Sequence, residues 1–134
     1  MRDGRTRKLE ITHTDPSFEK WLAHWKAAVV LLSGGSAGTE YEMDAPRVSL
    51  GRGDEATWTF SDEAMSKEHA ALEFASGAIR LRDLGSMNGS RVNGADTKAA
   101  DLKNGDRFEL GGLAFEFVLE NRRRKPRTYV VDDA

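Results

Sequence analysis

The stretch SMNGSRVNG, residues 86–94, holds two Asn-Gly pairs, Asn88-Gly89 and Asn93-Gly94, with Ser90, Arg91 and Val92 between them. Asn-Gly favours tight hairpin turns because both residues tolerate positive φ. On either side stand IRLRDL (79–84) and LKNGDRFEL (102–110), whose apolar and charged residues alternate as strands do. A chain that reverses this often between short alternating runs is reading out a β architecture.

The pattern extends in both directions. AAVVLL (27–32) is followed by the glycine-rich reversal SGGSAG (33–38), and TEYEM (39–43) sets Thr39, Tyr41 and Met43 against Glu40 and Glu42. RVSLG (47–51), TWTF (57–60) and ALEF (71–74) come next at short intervals. Near the end, RFEL (107–110) and LAFEFVL (113–119) flank Gly111-Gly112, a two-residue hairpin turn that puts Phe115 and Phe117 on one face and Glu116 on the other. Strands with one polar face must bury the other against a second sheet. The expected fold is all-β, a two-sheet antiparallel β-sandwich preceded by a short N-terminal helix.

That helix is expected in TDPSFEKWLAHWK (14–26), with Asp15 as cap and Pro16 at the first helical position. Phe18, Trp21, Leu22 and Trp25 follow at i, i+3, i+4 and i+7, one helical face. Such a face either packs onto its own domain or docks a partner or second copy, since two exposed tryptophans are costly. The organisation expected is an N-terminal extension over 1–25, a domain over 26–120 and a basic linker or tail over 121–134. Within that tail, TYVVDDA (128–134) resembles the opening strand and acidic pair of a receiver domain, which would make the chain the front piece of a longer protein; a chance match is the alternative reading.

Composition excludes several classes. At 134 residues one domain is expected, burying roughly two-thirds of its unfolded surface. There is no cysteine, so neither disulfides nor thiolate metal sites arise, and the three histidines, His13, His24 and His69, are scattered. No metal or cofactor is expected. The six-residue run 27–32 is far too short to span a bilayer, and no secretory signal precedes it, so the cytoplasm is the expected compartment. A net charge of −2 provides no basic field for nucleic acid.

The two Asn-Gly pairs belong to a longer series. Gly51-Arg52 ends RVSLG; Ser66 and His69 stand in SKEH (66–69); DLGSMNGSRVNG (83–94) and NGDRFELGG (104–112) come after. In this order and spacing the chain resembles the forkhead-associated (FHA) domain family from about Lys26 to Glu120. Each motif alone is weak, but four in order along an all-β chain are specific. The resemblance implies a sandwich whose end loops recognise phosphothreonine in a partner protein.

The residue types suit that chemistry. A phosphate carries close to two charges and three acceptor oxygens near neutral pH, and an arginine fork matches it better than lysine. By resemblance, Arg52 and Ser66 bind the phosphate, each charge-assisted bond contributing on the order of 1.5–3 kcal/mol. Asn88 holds the peptide backbone, with Gly89 giving the turn its φ and permitting close approach. Gly51, His69, Asn93 and Gly94 support the site, His69 from within its loop and Asn93-Gly94 as a hairpin. Two departures from the family pattern stand out: Met87 replaces a hydroxyl common before the asparagine, and Ser90 replaces the commoner threonine. Lys67 can compensate as a flexible positive charge.

Other roles for these residues are weaker. Ser66 and His69, three apart with no orienting carboxylate, make a poor nucleophile and base, so no catalytic residue and no enzyme is expected. Arg52 could instead pair with Asp54 or Glu55 as a surface ion pair. The function expected is a phosphothreonine-dependent binding module in Ser/Thr kinase signalling, set against a phospho-independent interaction or self-association domain. The expected partner is a phosphothreonine-containing protein, with the chain's own N-terminal tail a further candidate through Thr6 in GRTRK (4–8), Thr12 or Thr14.

Overall fold

A computed structural model describes residues 16–122. Asp15, the tail threonines, the basic run beyond Arg122 and TYVVDDA lie outside the described residues. Helix α1 covers Pro16–Leu22. The strands are β1 Trp25–Leu31, β2 Glu40–Glu42, β3 Arg47–Gly51, β4 Trp58–Thr59, β5 Ala70–Ala75, β6 Ala78–Asp83, β7 Ser90–Val92, β8 Ala95–Asp96, β9 Ala99–Asp101, β10 Arg107–Leu110 and β11 Leu113–Asn121. They form two sheets, ordered β2-β1-β11-β10-β7-β8 and β9-β6-β5-β3-β4. The sandwich expected from alternation is the fold observed.

The alternation sets which side chains meet between the sheets. Phe115 and Phe117 are both fully buried, while Glu116 on the opposite face pairs with Arg107 at 3.3 Å. Phe115 lies at the centre of the core, stacked on Phe108 at 5.1 Å and edge-on to Phe60 at 5.2 Å. Aromatic pairs at these separations add about 0.5–1.5 kcal/mol each beyond the area they bury. Phe60 joins the core from the loop that follows β4, which anchors one functional loop to the sandwich.

Two turns form as their sequences dictate. Gly111-Gly112 connects the register pair Leu110 and Leu113. Asn93-Gly94 connects Val92 and Ala95, with φ of 50° and 87°, the doubly positive geometry that matches strand twist. Asn93 goes further: its Oδ1 accepts the Arg107 N–H at 3.0 Å and its Nδ2 donates to Asp106 at 3.1 Å, tying the hairpin to β10.

Two features depart from expectation. First, β3 and β4 pair parallel, Leu50 with Trp58 and Gly51 with Thr59. The ladder is only two pairs long, so the loop 52–57 returns the chain without a helical crossover, and side chains reinforce the pairing. The Ser49 and Thr57 hydroxyls each accept the other's backbone N–H at 3.0 Å. Second, Trp25 is not on the helix, which stops at Leu22; Trp25 opens β1 and pairs with Asn121. The stop has a tertiary cause, since Arg122 Nε donates to the Leu22 and Trp25 carbonyls at 2.9 and 3.0 Å. Phe18 is buried and meets Phe74 at 5.3 Å, with Trp21 also on Phe74 at 5.2 Å. The helix therefore packs Phe18 and Trp21 onto its own sandwich.

Candidate functional site

Three loops converge at one end of the sandwich: 52–57 after β3, 60–69 before β5 and 84–89 after β6. Hydrogen bonds weld them together. The Arg52 and Gly53 N–H groups donate to the Ser66 and Lys67 carbonyls at 3.0 and 3.1 Å. Gly51 is needed for this approach, since a Cβ there would lie 2.0 Å from the Lys67 carbonyl oxygen. Gly51 thus has a steric reason to lack a side chain where the two loops meet.

Arg52 is exposed, with its Nε donating to the Met65 carbonyl at 2.9 Å. That bond fixes the side chain while both terminal amino groups have no partner among the described residues. The surface pairing with Asp54 or Glu55 is absent among the described residues. Ser66 Oγ accepts the Met87 N–H at 2.9 Å, which leaves its hydroxyl proton to donate. Asn88 Nδ2 donates to the Ala64 carbonyl at 2.8 Å, so part of its amide already bridges two loops and Oδ1 remains an acceptor. Gly89 adopts φ 82°, yet a Cβ there would meet nothing within 4 Å. Within the chain its requirement is conformational.

His69 is completely buried between these loops. Its Nδ1 accepts the Ser66 main-chain N–H at 3.1 Å and its Nε2 meets the Gly89 carbonyl at 2.8 Å. An accepting Nδ1 assigns the proton to Nε2, which then donates. Both nitrogens are spent on backbone, and the ring takes Ser66's amide rather than its hydroxyl. Lys67 and Met87 lie at the rim: Lys67 is exposed, and Met87, at 84%, is the most exposed large apolar side chain among the described residues.

One organiser was missed in the sequence. Asp83, at the end of β6, has a side chain only 3% exposed. Its Oδ1 accepts the Ser86 and Ser90 hydroxyls at 2.6 Å each, and its Oδ2 accepts the Gly85 and Ser86 N–H groups at 3.0 Å. Ser86 Oγ in turn accepts the Gly89 N–H at 2.9 Å. Burial pushes the Asp83 carboxyl up, but the bonds from Ser86, Ser90 and Gly85 outweigh it and hold the group below its ordinary value. The signal was present as Asp followed by Gly and Ser, a combination that folds back on its own backbone.

A carboxyl whose pKa is lower in the folded chain adds stability at pH values above its unfolded pKa, and that stability is lost as pH falls through the folded value. Asp83→Asn is therefore expected to lose about 1.5–3 kcal/mol at neutral pH, in the range of hydrogen bonds to a charged group. Urea denaturation from neutral pH down to about 3 should show the gap to wild type narrowing on acidification. A constant gap would mean that the carboxylate charge is irrelevant.

A sandwich with Gly-Arg, Ser-x-x-His and Asn-Gly elements gathered on three loops at one end defines a class of protein, the forkhead-associated domain. The chain belongs to that family: residues 30–121 match an FHA-type family described as the inner membrane component of T3SS, cytoplasmic domain. It is 32% identical to the glycogen accumulation regulator GarA of Mycolicibacterium smegmatis, over 72% of this chain and 61% of that protein. To the oxoglutarate dehydrogenase inhibitor of Corynebacterium glutamicum it is 29% identical, over 69% of this chain and 64% of that one. The chain thus spans a little under two-thirds of the length of these relatives. Among solved structures, one described in terms of phosphothreonine-dependent FHA domain interactions superposes with a TM-score of 0.65 at 27% identity, covering 69% of this chain and 95% of that one. The FHA domain of FhaA, complexed with the intracellular domain of Rv3910, gives 0.63 at 27%, covering 68% and 98%. No helix among the described residues is long and apolar enough to cross a membrane.

Proposed function

We propose that this chain is a non-enzymatic module that binds phosphothreonine in a partner protein, downstream of a Ser/Thr kinase. The observation that carries this reading is the state of Arg52: anchored through Nε, with a fork of terminal N–H donors left over, beside the Ser66 hydroxyl proton. In this reading both groups take the phosphate, which matches the arginine fork bidentately. Asn88 Oδ1 accepts a backbone N–H of the peptide, and Lys67 adds a mobile charge from the rim. Gly89, Gly51, His69, Asn93 and Gly94 hold the loops in place. Met87 supplies only apolar contact where a hydroxyl would have added a bond.

The absence of catalysis in this reading is supported by His69, whose ring nitrogens are both committed to backbone. The names of the relatives, a regulator and an inhibitor, agree with a binding role. Calorimetry with one peptide in three forms tests the proposal: phosphothreonine, phosphoserine and unphosphorylated. The phosphothreonine form should bind, and the unphosphorylated form should be at least about a hundredfold weaker, as loss of two charge-assisted bonds implies. The phosphoserine form should lie between, since one buried methyl contributes about 0.8 kcal/mol. Equal affinity for the phosphorylated and unphosphorylated forms would replace this reading with a phospho-independent interaction domain.

A further inference from the structure

The charges around Arg52 oppose the anion that it is proposed to hold. Two open recesses flank its loop. One is lined by Arg52, Asp54, Asp62 and Glu63 with Phe60 at its wall. The other is lined by Asp54, Glu55, Glu68 and Lys67. Between residues 52 and 68, two cations, Arg52 and Lys67, stand against five carboxylates, a local net charge of −3.

These carboxylates differ from those on the sheets. On the outer faces, Glu73 is paired with Arg47 and Arg82, Asp101 with Arg80 and Glu109 with Arg91. Asp62 is taken by the Gly112 N–H at 2.9 Å. Asp54, Glu55, Glu63 and Glu68 have no hydrogen-bond or ion-pair partner among the described residues. Glu19, Asp44 and Glu120 also stand open elsewhere among the described residues, but the phosphate loops gather four open carboxylates around the two recesses. A phosphate brings almost two further negative charges within the roughly 8–10 Å over which such charges feel one another at ordinary salt. Repulsion is relieved when the ligand carries its own cations beside the phosphate.

We propose that this acidic rim selects phosphothreonine flanked by arginine or lysine, the flanking cations entering the two recesses while Arg52 and Ser66 take the phosphate. The inference rests on the phosphate reading of the site. It assigns the ligand class: basic-context phosphothreonine segments, with acidic-context ones rejected by like charge.

The test uses the full chain and three phosphothreonine peptides of one backbone, with basic, uncharged or acidic flanks, each with its unphosphorylated counterpart. Binding is followed by fluorescence anisotropy at about 50 and about 300 mM salt, which spans weak and strong screening. The basic peptide should bind about tenfold tighter than the uncharged one at low salt, and the acidic one about tenfold weaker. Added salt should weaken the basic complex and strengthen the acidic one. Combined Asp54→Asn, Glu55→Gln, Glu63→Gln and Glu68→Gln substitutions should erase the ranking while keeping phosphate dependence. Equal affinities for the three phosphopeptides, or salt weakening all three alike, overturn the rim proposal and leave the phosphate reading intact. If no phosphopeptide outbinds its unphosphorylated counterpart, the phosphate reading itself fails and the rim proposal falls with it.

Discussion

His69→Ala is expected to cost on the order of 3–5 kcal/mol of stability, the range for emptying a buried ring-sized site. The side chain is wholly inside, so its loss leaves a cavity that the surrounding loops cannot close without moving. Two further groups are stranded: the Ser66 N–H and the Gly89 carbonyl lose their ring partners. Each unsatisfied group adds about 1–3 kcal/mol where water cannot replace the bond. The two loops bearing Ser66 and Asn88 are then no longer fixed to each other, so binding should fall together with stability. Urea denaturation measures the first and peptide titration the second. A cost below about 1 kcal/mol, the scale of a surface substitution, would show that His69 does not hold these loops.

Arg52→Ala separates function from fold. The side chain is exposed and gives the fold only one hydrogen bond, Nε to the Met65 carbonyl, so stability should fall by about 1 kcal/mol. Binding should fall far more. The arginine fork is proposed to form two charge-assisted bonds to phosphate, and losing them costs about 3 kcal/mol or more, beyond a hundredfold in affinity. Arg52→Lys should recover little, because an ammonium is a point charge without the planar fork.

Much of this was legible in the sequence, for identifiable reasons. Asn93-Gly94 and Gly111-Gly112 are local: turn chemistry fixes them before any tertiary contact forms, and both hairpins close on the residues expected. Phe115 and Phe117 followed from a period of two. The ordered motifs brought Arg52, Ser66 and Asn88 into one cluster because each lies in a loop at the same end of the sandwich, cross-linked by hydrogen bonds. Trp25 was misplaced because three- and four-residue spacing continued by chance past the end of a short helix, where long-range bonds from Arg122 decide the boundary. The parallel β3–β4 pair was invisible for a similar reason, since it depends on Ser49 and Thr57 finding each other. Asp83, with Gly85 and Ser86 close behind it, carried a turn signal in the sequence, but its bond to Ser90 is visible only in the fold. The acidic rim is also a property of the folded surface: only the structure shows which carboxylates have partners and which do not.

The central claim is that phosphothreonine is held at the Arg52, Ser66 and Asn88 loops and nowhere else. The direct measurement is an NMR titration of isotope-labelled wild type and Arg52→Ala with the basic-flanked phosphothreonine peptide. In wild type, the largest shifts should appear at the amides of Arg52, Ser66, Met87 and Asn88, while Trp25 and Asn121, at the far end of the β1–β11 pair, stay still. In folded Arg52→Ala the same additions should leave those loop signals nearly unmoved. Shifts centred away from the three loops, or an Arg52→Ala titration that matches wild type, would contradict the account.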